Sequence, residues 1–594
     1  MRLGWTKNGD TFTYRAIKTA KIDGVDKTIT VKKFGTDKYI CKTYGVDDAK
    51  AWVVERIKEM NKEESENNGT YSIELNAGKD IPLNVQRRFN GGYLFLQAIY
   101  YRLGLHKICR AVAKKHSFKY DLNDIVSRLI YTRILFPSSK RSAFYDSRKF
   151  IEQPSFKLHD IYRSLSVIAE ESDYIQSRLF KNSYDMADRK TGVIYYDCTN
   201  YYFEIDKAED DKQYGASKEH RPLPIVEMGL FMDMDGIPIS FSISAGNGNE
   251  QETMIPLEKK MIEKFDLSKF VVCTDSGLSS ATNRFFNSSQ LKGSQRSFIT
   301  TQSIKKLKKF LADWCLATDG WHLFGDDSGK KYDITELDDE KDKDKIFYKK
   351  RYIKENGDVH FDNGKTKSVP IEQQLIVSYS IKYRNYLRAI RNGQIERAEK
   401  KVKKGESAIN HKKPNDPSRF INTTHLTKDG EVAEKTSSSI NQSVIDNEER
   451  FDGFYAVCTN LDDDPEDVIK VNKRRWQIEE CFRIMKSDFA ARPAFVKRRD
   501  RILAHFMTCF IALIVYRYLE KKLDDKYTID QILSTLRNMD FIKREGFGYE
   551  PDYTRTELTD DLHKAFDFNT SKEIVPTKVM RNICSNTKKV TQEK

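Results

Sequence analysis

Between residues 10 and 45 polar and apolar positions alternate, as in Thr11-Phe12-Thr13-Tyr14-Arg15-Ala16-Ile17 and Thr28-Ile29-Thr30-Val31-Lys32-Lys33-Phe34. A period of two predicts strands, and Asp23-Gly24 between the runs is a hairpin turn signal. A small β-rich unit is therefore expected over 1–75, with a charged helix near 47–65 and a polar linker over 62–70. From about residue 92 to 190 the apolar spacing becomes helical, with Pro137 and serines as punctuation, so 76–190 reads as a helical domain.

At Gly192 the period changes again. Val193-Ile194-Tyr195-Tyr196-Asp197 is a short run of strand formers ending in an acid, and 201–205, 226–233 and 237–243 continue a strand-rich meander around the Asp235-Gly236 turn. A helix over about 250–265 leads to Lys269-Phe270-Val271-Val272-Cys273-Thr274-Asp275, a second apolar run ending in an acid. Only after about two hundred further residues does the next such strand, 453–459, open a helix at Asp464-Pro465. A crossover connection needs about a dozen residues, so 291–450 is expected as a β-rich insertion, with strand-like pieces at 331–335, 346–353 and 375–379 and a turn at Asn356-Gly357. The two flanking parts, 191–290 and 451–525, would then form one α/β core, a mixed sheet with flanking helices, and 526–594 a helical tail.

Composition changes this picture at a few points. The 594 residues exceed one core, and 39% hydrophobic with 12% aromatic residues suffice for several. The 102 Lys+Arg against 88 Asp+Glu leave +14, which favours a polyanionic partner. The excess is concentrated over 381–420, where twelve Lys/Arg meet four acids; a solvated basic helix explains that stretch as simply as a nucleic-acid contact does. Six basic residues of the helical domain, Lys107, Arg110, Lys114, Lys115, Arg128 and Arg133, are open to the same two readings. Nine cysteines without a C-x-x-C pair argue for reduced thiols in a cytoplasmic protein. Ten histidines without zinc-ligand spacing leave oxygen as the donor for any metal. The apolar run over 506–518 falls short of the roughly 18 residues of a membrane span and reads as a buried helix, so no membrane partner is expected.

The chemistry lies in three carboxylates. Asp197 and Asp275 end strand-like runs, and Glu479 belongs to Asn472-Lys473-Arg474-Arg475-Trp476-Gln477-Ile478-Glu479-Glu480-Cys481-Phe482-Arg483-Ile484-Met485-Lys486. Steps of 3, 4, 3 and 4 from Asn472 through Arg475, Glu479 and Phe482 to Lys486 predict a single helical stripe, with the acid between two cations. Singly these are ordinary features, since strand-end aspartates cap loops and i,i+4 ion pairs decorate exposed helices. Together, acids of this kind can hold divalent ions against a phosphodiester. Glu480 is the rival carboxylate, about 100° round the helix.

The order strand-Asp197, hairpin strands, strand-Asp275, long insertion, strand, helix-Glu479 resembles the DDE insertion-sequence transposases, and is most similar to the branch with a β-rich insertion and a Tyr-Arg-Glu-Lys signature. Further segments carry the likeness: Tyr196-Asp197-Cys198-Thr199, Tyr214 through Pro222, Gly236-Ile237-Pro238 with Gly246-Asn247 and Glu250, Thr274 through Leu278, and Arg501 through His505. Arg475, Glu479 and Lys486 meet the signature's spacing, whereas its Tyr position holds Asn472. The resemblance implies an RNase H-like fold. It implies that Asp197, Asp275 and Glu479 are catalytic and bind two Mg²⁺ ions, with Mn²⁺ as a substitute. Arg475 and Lys486 would hold the scissile phosphate, and Asn472, Trp476, Lys218 and Arg221 would be further DNA contacts. The implied partners are double-stranded DNA, as element ends and target, and a second copy in an end-paired dimer, with the helical domain as the DNA-binding part. An inactive end-binding remnant and an RNase H-like nuclease without strand transfer are the alternatives.

Overall fold

The N-terminal alternation resolves, in a computed structural model, into a three-stranded antiparallel sheet of β1 (Arg2–Asn8), β2 (Thr11–Ile22) and β3 (Val25–Thr36). Tyr14, Ala16 and Phe34 face Ile40, Ala49, Val53 and Ile57 of the two following helices, Asp37–Tyr44 and Ala49–Glu66. The structure describes residues 1–22, 25–66, 77–78, 80–404, 416–426 and 435–589. The Asp23-Gly24 turn, the linker beyond Glu66, and Glu406, Lys412 and Lys413 of the basic stretch lie outside them.

Two units emerge: residues 1–98, 145–153 and 522–594 form one, and 99–144 with 154–521 the other. This division differs from the segments expected from sequence. The helices Leu105–Lys115, Leu122–Leu135, Leu158–Glu170 and Ser172–Ser183 belong to the same unit as the large sheet. Buried polar contacts fasten them to it: Gln176 Oε1 accepts from Ser240 Oγ at 2.8 Å and from the Phe241 amide at 2.9 Å. Arg128 and Arg133 point inward, and Arg133 donates to the carbonyls of Phe489 and Ser138 at 2.9 Å. The Arg133 guanidinium thus satisfies backbone rather than phosphate, and Arg128 stands 3.5 Å from the Asp124 carboxylate.

After the short β4 (Arg88–Asn90), the large sheet is built from β5 (Val193–Tyr202), β6 (Ile225–Asp233), β7 (Pro238–Ala245), β8 (Val271–Thr274), β9 (Ser297–Gln302), β10 (His322–Leu323), β11 (Phe347–His360), β12 (Thr366–Tyr379) and β15 (Phe454–Thr459), in the order β10-β11-β12-β15-β9-β8-β5-β6-β7. β5, β6 and β7 are an antiparallel meander, while β8 pairs parallel with β5 and β9 parallel with β8. β9 lies inside the span expected as insertion, yet its pairing makes it part of the same sheet. The long β11–β12 hairpin likewise joins that sheet, through antiparallel β12–β15 and β15–β9 pairing. Insertion and core are continuous because each newcomer satisfies an exposed strand edge. A separate hairpin, β13 (Ile421–Leu426) with β14 (Lys435–Ile440), follows the Ile381–Lys404 helix. The expected helical tail instead contains β16 (Asp540–Arg544), β17 (Gly548–Asp552) and β18 (Val575–Pro576), paired in the order β18-β17-β16-β4, beside the helices Ile529–Asn538, Glu557–Phe566 and Thr577–Asn586.

β5 does not end at Asp197 but runs through it to Tyr202. Its period of two separates the faces: Ile194, Tyr196 and Cys198 enter the core shared with the Met254–Phe265 helix, while Tyr195, Asp197 and Tyr201 face the other way. On that second face Tyr195 donates to the Val471 carbonyl at 2.9 Å and Tyr201 packs on Phe506, ring centroids 4.7 Å apart. Phe506 belongs to the Arg499–Lys522 helix, which is long and apolar enough to cross a membrane, against the expectation from its apolar run; 94% of its most apolar window is buried within the protein, as in a core helix. The helical segments that carry Arg475 and Glu479 thus lie over the face from which Asp197 projects.

The β6–β7 turn is locked by an ion pair, Arg189 to Asp233 at 2.5 Å, both side chains essentially without solvent. Arg189 also donates to Ser183 Oγ and the Ile237 carbonyl, and the Ile237 amide donates to Asp233. Removing one partner leaves the other charge buried and alone. Asp233→Ala should destabilise this unit by about 3–5 kcal/mol, read as a lowered unfolding midpoint in denaturant; a shift below about 1 kcal/mol would show that the pair is solvated.

Candidate active site

Parallel pairing of β5 with β8 aligns Tyr195 with Cys273. Two residues further along each chain segment stand Asp197, still on β5, and Asp275, just past the end of β8, close enough for the charge of Asp275 to act on Asp197. Asp275 begins the loop after β8, where its Oδ1 accepts from the Leu278 amide at 3.1 Å and fixes the Ser276–Leu278 turn. Asp197 Oδ1 accepts from the Cys198 amide at 2.8 Å. Burial raises the Asp197 pKa to about 6; Lys218 works against that rise and the charge of Asp275 adds to it. Lys218 donates to the Cys198 carbonyl and pairs with Glu250 at 3.3 Å. Burial opposes its charge, but Asp197 and Glu250 outweigh burial and hold its pKa above the ordinary lysine range.

The predicted single stripe is broken. One helix, Pro465–Lys473, ends before Arg474-Arg475, a second spans Trp476–Arg483, and a wider π-helical turn, Ile484–Asp488, follows. Asn472 therefore does not share a helix face with Glu479. It is 4% exposed, its Nδ2 donates to Tyr455 Oη at 3.0 Å, and its Oδ1 faces Cys273 Sγ at 3.6 Å. Its amide is committed inside the protein, so the expected DNA contact at Asn472 is not open in this structure.

Arg475, at the break, is the common neighbour of the acids. Burial disfavours its charge, yet Tyr455 and the carboxylates of Asp197, Glu479 and Asp275 together lift its pKa above the usual guanidinium range. It meets Glu479 at 3.3 Å, and its buried Nε has no hydrogen-bond partner. Glu480 turns elsewhere, toward Arg517 at 3.6 Å and Arg483 at 3.7 Å. Lys486 reaches the same site from the π turn: burial and Lys218 depress its pKa to about 8 against the pull of Asp197, and it stands 3.7 Å from Glu219. Arg221 lies over the Tyr202 ring at 4.4 Å. Trp476, one of the DNA contacts implied by the resemblance, is 56% exposed. It borders a concavity of about 650 Å³ with Tyr383, Tyr386, Lys382, Lys473 and Glu479.

The loop carrying Lys218 is placed by backbone contact. A Cβ on Gly215 would come within 1.7 Å of the Gly246 carbonyl oxygen, and one on Gly246 within 2.1 Å of that of Ile225, so only glycines fit both positions. Sequence reasoning missed Tyr455, whose hydroxyl also meets Thr301 Oγ1 at 2.8 Å, and Arg492, which pairs with Glu219. It also missed Glu227, buried on β6, whose pKa rises to about 7 through burial and the nearby Glu250. None of these carries a signal in one sequence, because each reaches the site by strand pairing or loop placement. In the basic stretch, Lys382, Arg384, Arg388, Arg391, Lys401 and Arg419 are each paired with a carboxylate, which favours the solvated or structural reading for those six.

A divalent ion fits this chemistry in part. Two neighbouring carboxylates, one of them reluctant to ionise, are relieved by a cation, and Mg²⁺ typically takes one or two carboxylates plus substrate oxygens. Among the described residues no three His, Cys, Asp or Glu side chains are grouped closely enough to form a complete metal cage, and Glu479 is engaged with Arg475.

Paired acids on parallel strands, ringed by Arg475, Lys486 and Lys218, make this an α/β protein whose candidate site suits a polyanion. The family model described as "Transposase DDE domain" matches residues 202–515, more than half of the chain, and the chain belongs to that family of DDE transposases, enzymes that cleave DNA and transfer its strands with divalent metal ions. The match encloses Asp275 and Glu479 and begins just after Asp197. No curated protein matches. Among solved structures, the cryo-EM structure of the piggyBac transposase synaptic complex with hairpin DNA is similar over 84% of both chains at 9% identity, with a TM-score of 0.34, too low to support an argument.

The raised Asp197 pKa has a consequence for stability. The folded state binds this proton more tightly than the unfolded chain does, so the group's contribution is favourable below about pH 4 and is lost as pH rises through about 6. Without metal at pH 7, Asp197→Asn should raise the unfolding temperature and flatten the decline between pH 4 and 6, by at most roughly 3 kcal/mol. Unchanged or lowered stability would contradict the burial assigned to this carboxyl.

Proposed function

We propose that β7-β6-β5-β8-β9 is an RNase H-like core and that Asp197, Asp275 and Glu479 are its catalytic acids. Three antiparallel strands followed by two parallel ones, with the first acid on the central strand, support the fold reading. The observation that carries the site is Arg475, which meets Glu479 at 3.3 Å and whose pKa is lifted by Asp197 and Asp275 as well, three acids far apart in sequence.

In this reading Asp197 and Asp275 hold Mg²⁺, for which Mn²⁺ substitutes. Glu479 joins them when it releases Arg475, because incoming DNA supplies a phosphate that competes for the guanidinium. Bound ions, two in this proposal, would lower the pKa of the attacking water and steady the leaving oxygen. The protein's own cations orient the scissile phosphate: Arg475 bidentately, Lys486 and Lys218 as point charges. Lys486, depressed to about 8, regains a firm positive charge beside phosphate. Trp476 and Arg221 are further DNA-facing groups in the proposal. The reaction is cut-and-paste transposition: water opens the phosphodiester at an element end, and the freed 3′-hydroxyl attacks a target phosphodiester, with two copies of the chain pairing the ends.

Asp197→Asn, Asp275→Asn and Glu479→Gln should each reduce metal-dependent nicking of an element-end duplex by roughly 10³-fold or more while leaving its binding intact. Glu480→Gln should cleave at close to the unaltered rate. Nicking retained by any of the first three variants would overturn the assignment.

A further inference from the structure

The helical segment expected to bind DNA packs on the catalytic unit's sheet and turns Arg128 and Arg133 inward, while Lys107, Arg110, Lys114 and Lys115 stay exposed. A different surface has the charge and shape for that task. One face of the β1-β2-β3 sheet is covered by its own helices, through Tyr14, Ala16 and Phe34. Strand register defines the other. Lys33, Arg15 and Gly4 form one row across it, and Thr30, Ile17 and Arg2 the next. Threonines flank the rows, and Arg2 lies 3.5 Å from Thr19 Oγ1 on the same face. A side chain at Gly4 would meet Ile17 at 2.9 Å, so Ile17 leans over the glycine in the middle of the face. Nε of Arg15 has no hydrogen-bond partner.

Charge complementarity identifies the occupant. The three strands carry eight Lys/Arg (2, 7, 15, 18, 21, 27, 32, 33) and one acid, Asp26 near the hairpin tip, so 8 − 1 = +7. The β2–β3 hairpin, twelve residues on each strand, is about 40 Å long at 3.4 Å per residue. A two-stranded ribbon fits the major groove of B-DNA, about 12 Å wide. There arginine pairs with guanine O6 and N7, threonine bonds either base type, and an aliphatic side chain meets the thymine methyl.

We propose that this sheet face is a DNA-reading surface, with the β2–β3 ribbon in the major groove of double-stranded DNA at the element's ends. Arg15 and Arg2 face bases, Ile17 lies among them, and Lys33 contacts the phosphate backbone. The assignment rests on the reading of the chain as a DNA transposase, but it concerns recognition rather than the acid site.

The test uses the full chain and two duplexes of equal length, one carrying the element's terminal sequence and one the same bases scrambled, with affinity measured from 50 to 200 mM salt. The unaltered chain should prefer the terminal duplex. Substituting Arg2, Arg15 and Lys33 together by Ala should remove the preference and lower the salt slope by about 2–3. Arg15→Lys keeps the charge but loses the bidentate fork, so it should lose preference with little change in slope. Both variants should retain unaltered melting profiles. Preference and slope unchanged in the triple variant would overturn the proposal, as would binding of this face to anionic vesicles with no effect on DNA. Failure of the transposase reading would be visible separately, as absent nicking by the unaltered chain.

Discussion

The parallel pairing of β5 with β8 is the constraint on which the site depends. Because side chains alternate, aligning Tyr195 with Cys273 also brings Asp197 near Asp275, and a slip of one residue would send one of them to the opposite face. The register is held by what lies beneath: Ile194, Tyr196 and Val272 enter the apolar core on the reverse side. Hydrophobic burial on one face thus fixes a costly juxtaposition of like charges on the other. The cost is visible in the Asp197 carboxyl, which its surroundings push toward the protonated form.

The helix break at Arg474-Arg475 offsets that cost. A continuous helix from Pro465 onward would have placed Asn472 and Glu479 on a common face. Ending the first helix at Lys473 lets Asn472 turn inward to Tyr455 and Cys273, while Arg475 opens the next helix as a partly buried cation under the influence of three acids. The guanidinium supplies part of the countercharge to these acids, beside the ammonium of Lys218. It also explains why Glu479 is not grouped with the aspartates: a carboxylate able to pair with Arg475 at 3.3 Å has no reason to approach two others of its own sign.

Much of this was legible in the sequence, for identifiable reasons. Period-two runs at 193–197 and 269–275 are local signals, and the strands formed there. Helical spacing around Trp476 through Arg483 was equally local: a helix formed there, and on it Glu479 meets Arg475 while Glu480 turns to Arg517. What failed was non-local. Sequence assigned β9 to an insertion because nothing in Ser297–Gln302 says which strand it will pair with, and the four-stranded β4/β16/β17/β18 sheet joins residues some 450 positions apart. The helix break carries no glycine or proline, and the contacts of Asn472 with Tyr455 and Cys273 that accompany it are made across the fold. Arg128 and Arg133 could be surface cations by sequence because charge alone reveals neither the carboxylate of Asp124 beside the first nor the carbonyls that await the second.

The departure at Asn472 illustrates the same point at the scale of one side chain. Sequence shows only that the Tyr of the Tyr-Arg-Glu-Lys signature is missing, which suggests a lost phenol beside the acids. The structure places a phenol there by another route: Tyr455, on β15, accepts from Asn472 Nδ2 and lines the same concavity as Arg475 and Glu479. A tyrosine at 472 would compete with Tyr455 for one buried position, since the present residue is 4% exposed and already spans the gap to Cys273. Asparagine is small enough to bridge, and its donor and acceptor satisfy both neighbours. The buried position is therefore filled by a side chain whose donor is bonded to a phenol on β15 and whose acceptor faces a thiol.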